Sequence, residues 1–378
     1  MIGRDLWLGR IRDAWSRRGV VWLSGVRRVG KTTLARMLPE VEYLNCDLPS
    51  VQRRVADPEA YLNSRPPDAT LVFDEVHRLA DPSMLLKIAA DEHPGLRVLA
   101  TGSSTLAATG KFRDSLSGRK VSLHLCPVLW QECPNWLGAA DLDRRLLHGG
   151  LPEQLLATEP DPGFYAEWLD SFYAREILEL FRIRNRAGFL ALLRLLLRSS
   201  GGQIDYTKLA RQSEVSRPTV KSHLEALTTA HAVCLLRPFA GGGRREITSR
   251  PKCYAFDTGF VAFERGWESL RGGDRGLLWE HLVLDVLRLR FGDRVQYWRD
   301  KSGREIDFVV RRPGGRVDAV EAKLSPDAFD GAALDVFRRL YPDGDDYVVS
   351  PMTLDSFRAG RRGRSVTFCG LEALGAAK

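Results

Sequence analysis

Apolar positions along the chain follow two rhythms. In the first third they come as short unbroken runs, at 20–23 (Val-Val-Trp-Leu), 41–44, 70–73 and 97–100, and 120–125 alternates as a fifth. Segments between them, 31–38 first, carry helical spacing. Short runs alternating with helices predict βαβ units and a parallel sheet. From 142 to 197 the period becomes helical, and Phe189, Leu192, Leu193, Leu196 and Leu197 fall on one face. Ser199-Ser200-Gly201-Gly202 breaks that pattern, and a second helical block fills 206–230. A glycine-arginine stretch follows at 241–245, then a helix at 277–289 and strand-like segments at 295–298, 305–310 and 317–323. The changes of rhythm divide the chain at about 138, 198 and 260, giving four units: 1–138, 139–198, 199–260 and 261–378.

A chain of 378 residues with 44% apolar and 28% charged residues is globular and long enough for several cores. The longest apolar candidate, 189–197, is broken by Arg194 and falls short of a membrane span. The opening MIGRDLWLGR has no hydrophobic core of a signal peptide. Six scattered cysteines without a C-x-x-C pair argue against a disulfide framework and against zinc. The expected setting is therefore cytoplasmic, without a membrane. A net charge of +8 is a mild pointer to polyanions.

Chemistry enters at Gly25-Val26-Arg27-Arg28-Val29-Gly30-Lys31-Thr32, which fits G-x-x-x-x-G-K-[ST] between a predicted strand and helix, with Thr33 just inside the helix. Its glycines let backbone N–H groups wrap phosphates, and the helix start adds a favourable dipole. Lys31 reaches the β- and γ-phosphates, and the Thr32 hydroxyl is a Mg²⁺ ligand. The run at 70–73 ends in Asp74-Glu75, beside that loop in a parallel sheet. Asp74 is expected to hold Mg²⁺ through water, and Glu75 to polarise the attacking water. The fourth strand ends Thr101-Gly102-Ser103-Ser104. Ser103 is placed to sense the γ-phosphate, while capping of a helix by Ser103 or Ser104 is the alternative. Arg119, before the fifth strand, can reach into a neighbour's site as an arginine finger, with Arg113 next; the alternative is a surface arginine.

The order GVRRVGKTT, LVFDEVHR, ATGSS, LSGRK and PVLWQE resembles a family of bacterial and archaeal AAA-type ATPases that carry a C-terminal region of unknown function. His148-Gly149-Gly150-Leu151-Pro152-Glu153 and Phe172-Tyr173-Ala174-Arg175-Glu176-Ile177 fit the same family, so the resemblance covers nearly the whole chain. It implies an α/β P-loop core over 1–138, a helical lid over 139–198, ATP and Mg²⁺ as cofactors, and assembly of identical subunits. Related ATPases contact the nucleotide through a Gly-x-Pro in the lid; by analogy Pro152 lies near the adenine, with plain turn chemistry the alternative.

Within 199–260, Leu209 and Ala210 face inward on a first helix, Ser213-Glu214-Val215 turns, Ser216 caps a second helix and Pro218 sits in its first turn. Val220, Leu224 and Leu227 form its apolar stripe and leave Arg217, Thr219, Lys221 and Ser222 outside. This is a helix-turn-helix pattern, with Arg244, Arg245 and the Arg250-Pro251-Lys252 run as a basic wing. Residues 199–252 hold nine Lys/Arg against four Asp/Glu, so the chain's positive excess is concentrated here and DNA is the expected partner. A lid or protein-docking role is the alternative.

In 261–378, Glu280 lies on the helix, Asp307 on a strand, and Glu321 and Lys323 on one face of the next. The pattern resembles PD-(D/E)XK nucleases, except that Ile306 replaces the proline before Asp307. The resemblance implies a restriction-endonuclease-like domain in which Glu280, Asp307 and Glu321 hold Mg²⁺ and Lys323 orients water. The expected function is ATP hydrolysis coupled to DNA processing. The alternative is a nucleotide-operated switch that binds DNA or protein without cutting.

Overall fold

The computed structural model describes residues 3–102, 116–138, 141–241 and 250–375. Strands β1 (Val20–Ser24), β2 (Val41–Asn45), β3 (Thr70–Asp74), β4 (Arg97–Thr101) and β5 (Lys120–His124) form one fully parallel sheet in the order β2-β3-β4-β1-β5. The two faces divide by period two. Val21, Leu23, Val72 and Leu99 pack into one core, and Val20, Trp22, Leu71, Phe73, Val98 and Ala100 into another. A strand buried on both faces reads as an unbroken apolar run, which explains the pattern in the sequence. All the carboxyl ends lie along one edge, where parallel α/β sheets place their sites.

The helices Leu142–His148, Pro152–Leu156, Pro162–Phe172 and Arg186–Arg198 follow, with a π-helical turn at Tyr173–Ile177. All five apolar residues of the predicted face of Arg186–Arg198 are buried. A buried polar lock joins this region to the helix Thr258–Arg265. Arg145 donates to the Val128 carbonyl (2.8 Å) and to Thr258 Oγ1 (3.0 Å). Asp257 accepts from the amides of Gly150 (2.6 Å) and Gly259 (2.9 Å).

The helices Tyr206–Gln212 and Arg217–Thr229 come next, capped by Asp205 and by Ser216. They pack beside a three-stranded antiparallel sheet of β6 (Gly202–Gln203), β7 (Val233–Leu236) and β8 (Lys252–Ala255), in the order β6-β8-β7. The last unit is a mixed six-stranded sheet of β9 (Val295–Arg299), β10 (Glu305–Arg311), β11 (Val317–Ala322), β12 (Asp346–Val349), β13 (Phe357–Arg361) and β14 (Arg364–Cys369). Its order is β13-β14-β12-β11-β10-β9. Helix Gly272–Phe291 belongs to the core on one face with Tyr297, Phe308 and Val320. Helix Ala332–Leu340 belongs to the other, with Trp298, Ile306 and Val309. The two sheets meet where the Phe239 amide donates to the Tyr297 carbonyl at 2.6 Å.

Helix Gly272–Phe291 starts five residues before the predicted 277. The helix Asp5–Trp15, strands β12 to β14 and helix Ala332–Leu340 had no counterpart in the sequence pattern. All six cysteines are free thiols, and among the described residues no helix is long and apolar enough to cross a membrane.

Gly149 sits at φ +78°, and a Cβ there would overlap the Asp257 carboxylate. Gly149→Ala is therefore expected to lower the thermal midpoint, with backbone strain alone costing about 1–3 kcal/mol. A midpoint equal to the parent's in differential scanning fluorimetry would show that Asp257 does not lock this junction.

Candidate functional site

The phosphate loop leaves β1 at Ser24 and enters helix Lys31–Arg36. Gly25 is required by crowding: a side chain there would press on the Leu125 carbonyl at 2.6 Å. Lys31 Nζ is folded back onto the loop, donating to the carbonyls of Gly25 (2.8 Å) and Val26 (3.2 Å). Burial works to lower its pKa, and Glu75, Glu176 and Asp74 oppose that loss of charge.

Asp74, at the end of β3, is 3% exposed and gathers three hydroxyl donors. Thr32 (2.8 Å) and Tyr43 (2.5 Å) donate to Oδ2, and Thr101 donates to Oδ1. Burial, then the bond to Asp74, push the Tyr43 hydroxyl up to about 12, so it stays a donor at any working pH. Thr101 Oγ1 also accepts from the Glu75 amide (3.1 Å). Glu75 turns into the left-handed region at φ 55°, which takes its carboxylate off the strand line. Its Oε2 lies 3.2 Å from His77 Nδ1. Burial acts to raise Glu75, but His77 and the charges of Lys31 and Arg27 outweigh it and hold the carboxyl below the usual range. Glu75 is therefore an ionised acceptor.

A cleft of about 380 Å³ lies against Gly30, Lys31, Thr32 and Thr33, with Pro152, Trp136 and Met37 on its walls. Pro152 heads helix Pro152–Leu156 beside Gly30. The outer side of the loop is gripped by helix Pro162–Phe172. Trp168 Nε1 donates to the Arg27 carbonyl (3.1 Å), and Arg28 meets Glu167 at 2.5 Å over the Phe164 ring. Val29 is buried beneath the loop.

Ser103, Ser104 and Arg113 lie outside the described residues. The polar residue of the fourth strand that reaches the site is Thr101, the strand's last residue. Sequence reasoning missed it and Tyr43, whose only signal was a hydroxyl on a strand. Arg119 precedes β5, at the end of the strand away from the loop, and its Nε bonds Asp91 Oδ1 at 2.6 Å.

A second polar centre lies in the C-terminal sheet. β10 and β11 pair Phe308 with Val320, which sets Asp307 beside Glu321. Lys323 Nζ bridges them, at 2.9 Å from Asp307 Oδ2 and 2.6 Å from Glu321 Oε2. Asp307 Oδ2 also accepts from the Ala322 amide (2.9 Å). Glu280 Oε2 instead accepts from the Tyr254 hydroxyl (3.1 Å). Burial, then Asp307, push Glu280 up to about 7 and raise Glu321 as well. Burial acts most strongly and would raise Asp307 too, but Lys323, the bond to Glu321, Lys252 and the Ala322 amide together outweigh it and hold the carboxyl below the usual range. The hairpin pairing is as expected. The three carboxylates do not converge as a metal set: among the described residues no group of three Asp, Glu, His or Cys could hold a metal ion.

Arg217 and Lys221 stand exposed on helix Arg217–Thr229, opposite buried Val220, Leu224 and Leu227. Lys221 Nζ lies over the Tyr206 ring. Arg244 and Arg245 lie outside the described residues. Lys252, expected in the basic wing, points inward: it is 4% exposed and ion-paired with Glu305.

The fold and loop define a P-loop α/β nucleotide-binding protein. Residues 17–133 match the family model described as AAA domain, 139–271 that of a domain of unknown function (DUF8612), and 275–367 that of a domain of unknown function (DUF4143). An uncharacterized protein of Mycobacterium tuberculosis is 31% identical over 322 residues, covering 81% of this chain and 70% of its own length. One of Methanocaldococcus jannaschii is 23% identical, over 64% and 58% respectively. The chain belongs to the AAA-type ATPase family with this C-terminal domain of unknown function. Among solved structures, the Walker-type ATPase of Pyrococcus abyssi aligns over 70% of this chain and 96% of its own (15% identity, TM-score 0.43).

Removing the Thr101 hydroxyl strips a donor from a buried carboxylate, a loss of about 1.5–3 kcal/mol for a bond to a charged group. Thr101→Val is expected to keep ADP binding and to cut ATP turnover by roughly 10- to 100-fold. Unchanged turnover would make Thr101 a structural partner only.

Proposed function

We propose that this protein is a Mg²⁺-dependent ATPase that binds DNA and couples nucleotide turnover to an action on it. The observation that carries the ATPase reading is the convergence of Lys31, Thr32, Asp74 and Glu75 at one sheet edge. Thr32 and Asp74 fit a hard cation, since both present oxygen and stand 2.8 Å apart. When bound, Mg²⁺ would neutralise charge on the phosphates. Lys31 would exchange the Gly25 and Val26 carbonyls for phosphate oxygens. Glu75, ionised, would accept the proton of the attacking water. Asp74 and Thr101 would fix Glu75 through its amide. The loop backbone from Gly25 to Thr33 would cradle the phosphates, and Pro152 would border the base. The four-unit division at 138, 198 and 260 and a trans role for Arg119 belong to this reading.

DNA binding rests on the helix-turn-helix geometry of Tyr206–Gln212 and Arg217–Thr229, backed by the antiparallel sheet as in a winged helix. Arg217 and Lys221 would meet phosphates or base edges; Arg244 and Arg245 are the wing candidates by sequence. For the C-terminal unit, the nuclease-like arrangement of Asp307, Glu321 and Lys323 supports kinship of fold. Lys323 already bridges the two carboxylates, so the donor set does not fit a divalent cation as it stands and no cleavage step is derived. That observation favours the second reading, a nucleotide-operated DNA-binding switch without cutting.

Two measurements test this. Lys31→Ala is expected to abolish ATP binding in calorimetry, while Glu75→Gln keeps binding and loses turnover; normal turnover in Glu75→Gln would move the base elsewhere. The double reversal Arg217→Glu, Lys221→Glu is expected to weaken duplex DNA binding and flatten its salt slope by about one unit per lost phosphate contact. Unchanged affinity and slope would leave the helix a protein contact.

A further inference from the structure

A second cavity lies between the edge strand β5, strands β7 and β8, and helix Gly272–Phe291. It measures about 730 Å³, within the ~300–1,000 Å³ range of small-molecule sites. Two features give it the character of a built site. His124, at the end of β5, and His231, before β7, stack at 3.9 Å between ring centroids, with planes 29° apart. His231 is held for this at φ 58°, a conformation that non-glycine residues seldom adopt. Burial keeps both rings neutral, lowering His231 to about 4 and His124 well below the usual range.

The second feature is positive charge without ion-pair partners. Arg237 and Arg288 line the cavity, and neither side chain makes an ion pair or hydrogen bond among the described residues. The Nε of Arg10, also on the wall, is buried without a partner. Asp285 and Asp293 are the lining acids. Burial pushes Asp285 up to about 7, so its charge offsets the arginines only in part.

We propose that this cleft is a second ligand site, for a phosphorylated ligand of nucleotide size. The arginines would meet the phosphate, the imidazole pair would offer a flat wall to the base, and the Asp285 carboxyl would take a ring N–H. The same chemistry is met in a free mononucleotide and in a nucleotide of a nucleic-acid strand.

Its position ties it to both polar centres. Val26 of the phosphate loop forms part of its wall, and Ser24 Oγ lies 3.3 Å from His124 Nδ1. At the other side Tyr254 lines the cleft and donates to Glu280.

The test uses full-length Lys31→Ala protein, in which the phosphate loop is disabled. Calorimetric titration with dTMP and with the dinucleotide pdTpdT is expected to give one saturable site with Kd below ~1 mM. Arg288→Ala and Arg237→Ala, both at exposed side chains, should each weaken it at least about tenfold with an unchanged thermal midpoint. Equal affinity for the two probes identifies a free nucleotide; tighter binding of pdTpdT identifies a strand. Absence of saturable binding, indifference to both substitutions, or inorganic phosphate binding as tightly as dTMP would each overturn the proposal.

Discussion

One carboxylate organises the nucleotide end of this molecule. Asp74 is buried, and a buried charge is tolerable only when its lone pairs are taken up by donors. Here the donors are three hydroxyls from three elements: Thr32 from the helix after the phosphate loop, Tyr43 from β2 and Thr101 from β4. Satisfying Asp74 therefore sets the register of the loop helix against two strands at once. The same hydroxyl of Thr101 accepts the Glu75 amide, so the neighbouring carboxylate is positioned by the network that satisfies the first. The loop adds its own constraint through Gly25, pressed against the Leu125 carbonyl, and through Trp168, which ties Arg27 to the lid helices.

How much of this was legible in the sequence follows from burial. The sheet was, because strands covered on both faces must be apolar at every position, as in Val20 to Leu23. The phosphate loop was, because its chemistry needs fixed residues at fixed spacing. The stripe of Arg186–Arg198 was, because one apolar face repeats over 13 residues. β12 and β13 were not: β12 has four residues and opens on Asp346, whose carboxylate is paired with buried Arg338, and β13 reads Phe-Arg-Ala-Gly-Arg. Thr101 was passed over for Ser103 because a polar quartet at a strand end does not say which hydroxyl faces inward; the register of β4 does.

Lys252 marks the limit of charge counting. It lies in a stretch with nine Lys/Arg against four Asp/Glu and was read as part of a basic wing. In the fold all four residues of β8 are buried, and Lys252 turns to Glu305 of the C-terminal sheet. Composition locates an excess of charge but not the side of the strand on which it stands. The charge that stands outside includes Arg217 and Lys221 on the exposed face of their helix.

That inward turn has a mechanical consequence. Glu280, Asp307, Glu305 and Glu321 crowd one region, and their repulsion is relieved from two directions. Lys323 comes from their own sheet, whereas Lys252 and Tyr254 come from β8, in the sheet beside the helix-turn-helix. Drawing the two sheets apart would take Lys252 from Glu305 and the Tyr254 hydroxyl from Glu280, and would leave the buried Lys252 ammonium without its partner, a cost in a low-dielectric setting. Tyr254 also lines the central cleft, across from the end of β5, where His124 faces Ser24 at the root of the phosphate loop. Val26 of the nucleotide loop and Tyr254, the donor to Glu280, thus line one cavity. A change in the cleft's width would therefore act on the phosphate loop through Val26 and on Glu280 through the hydroxyl of Tyr254.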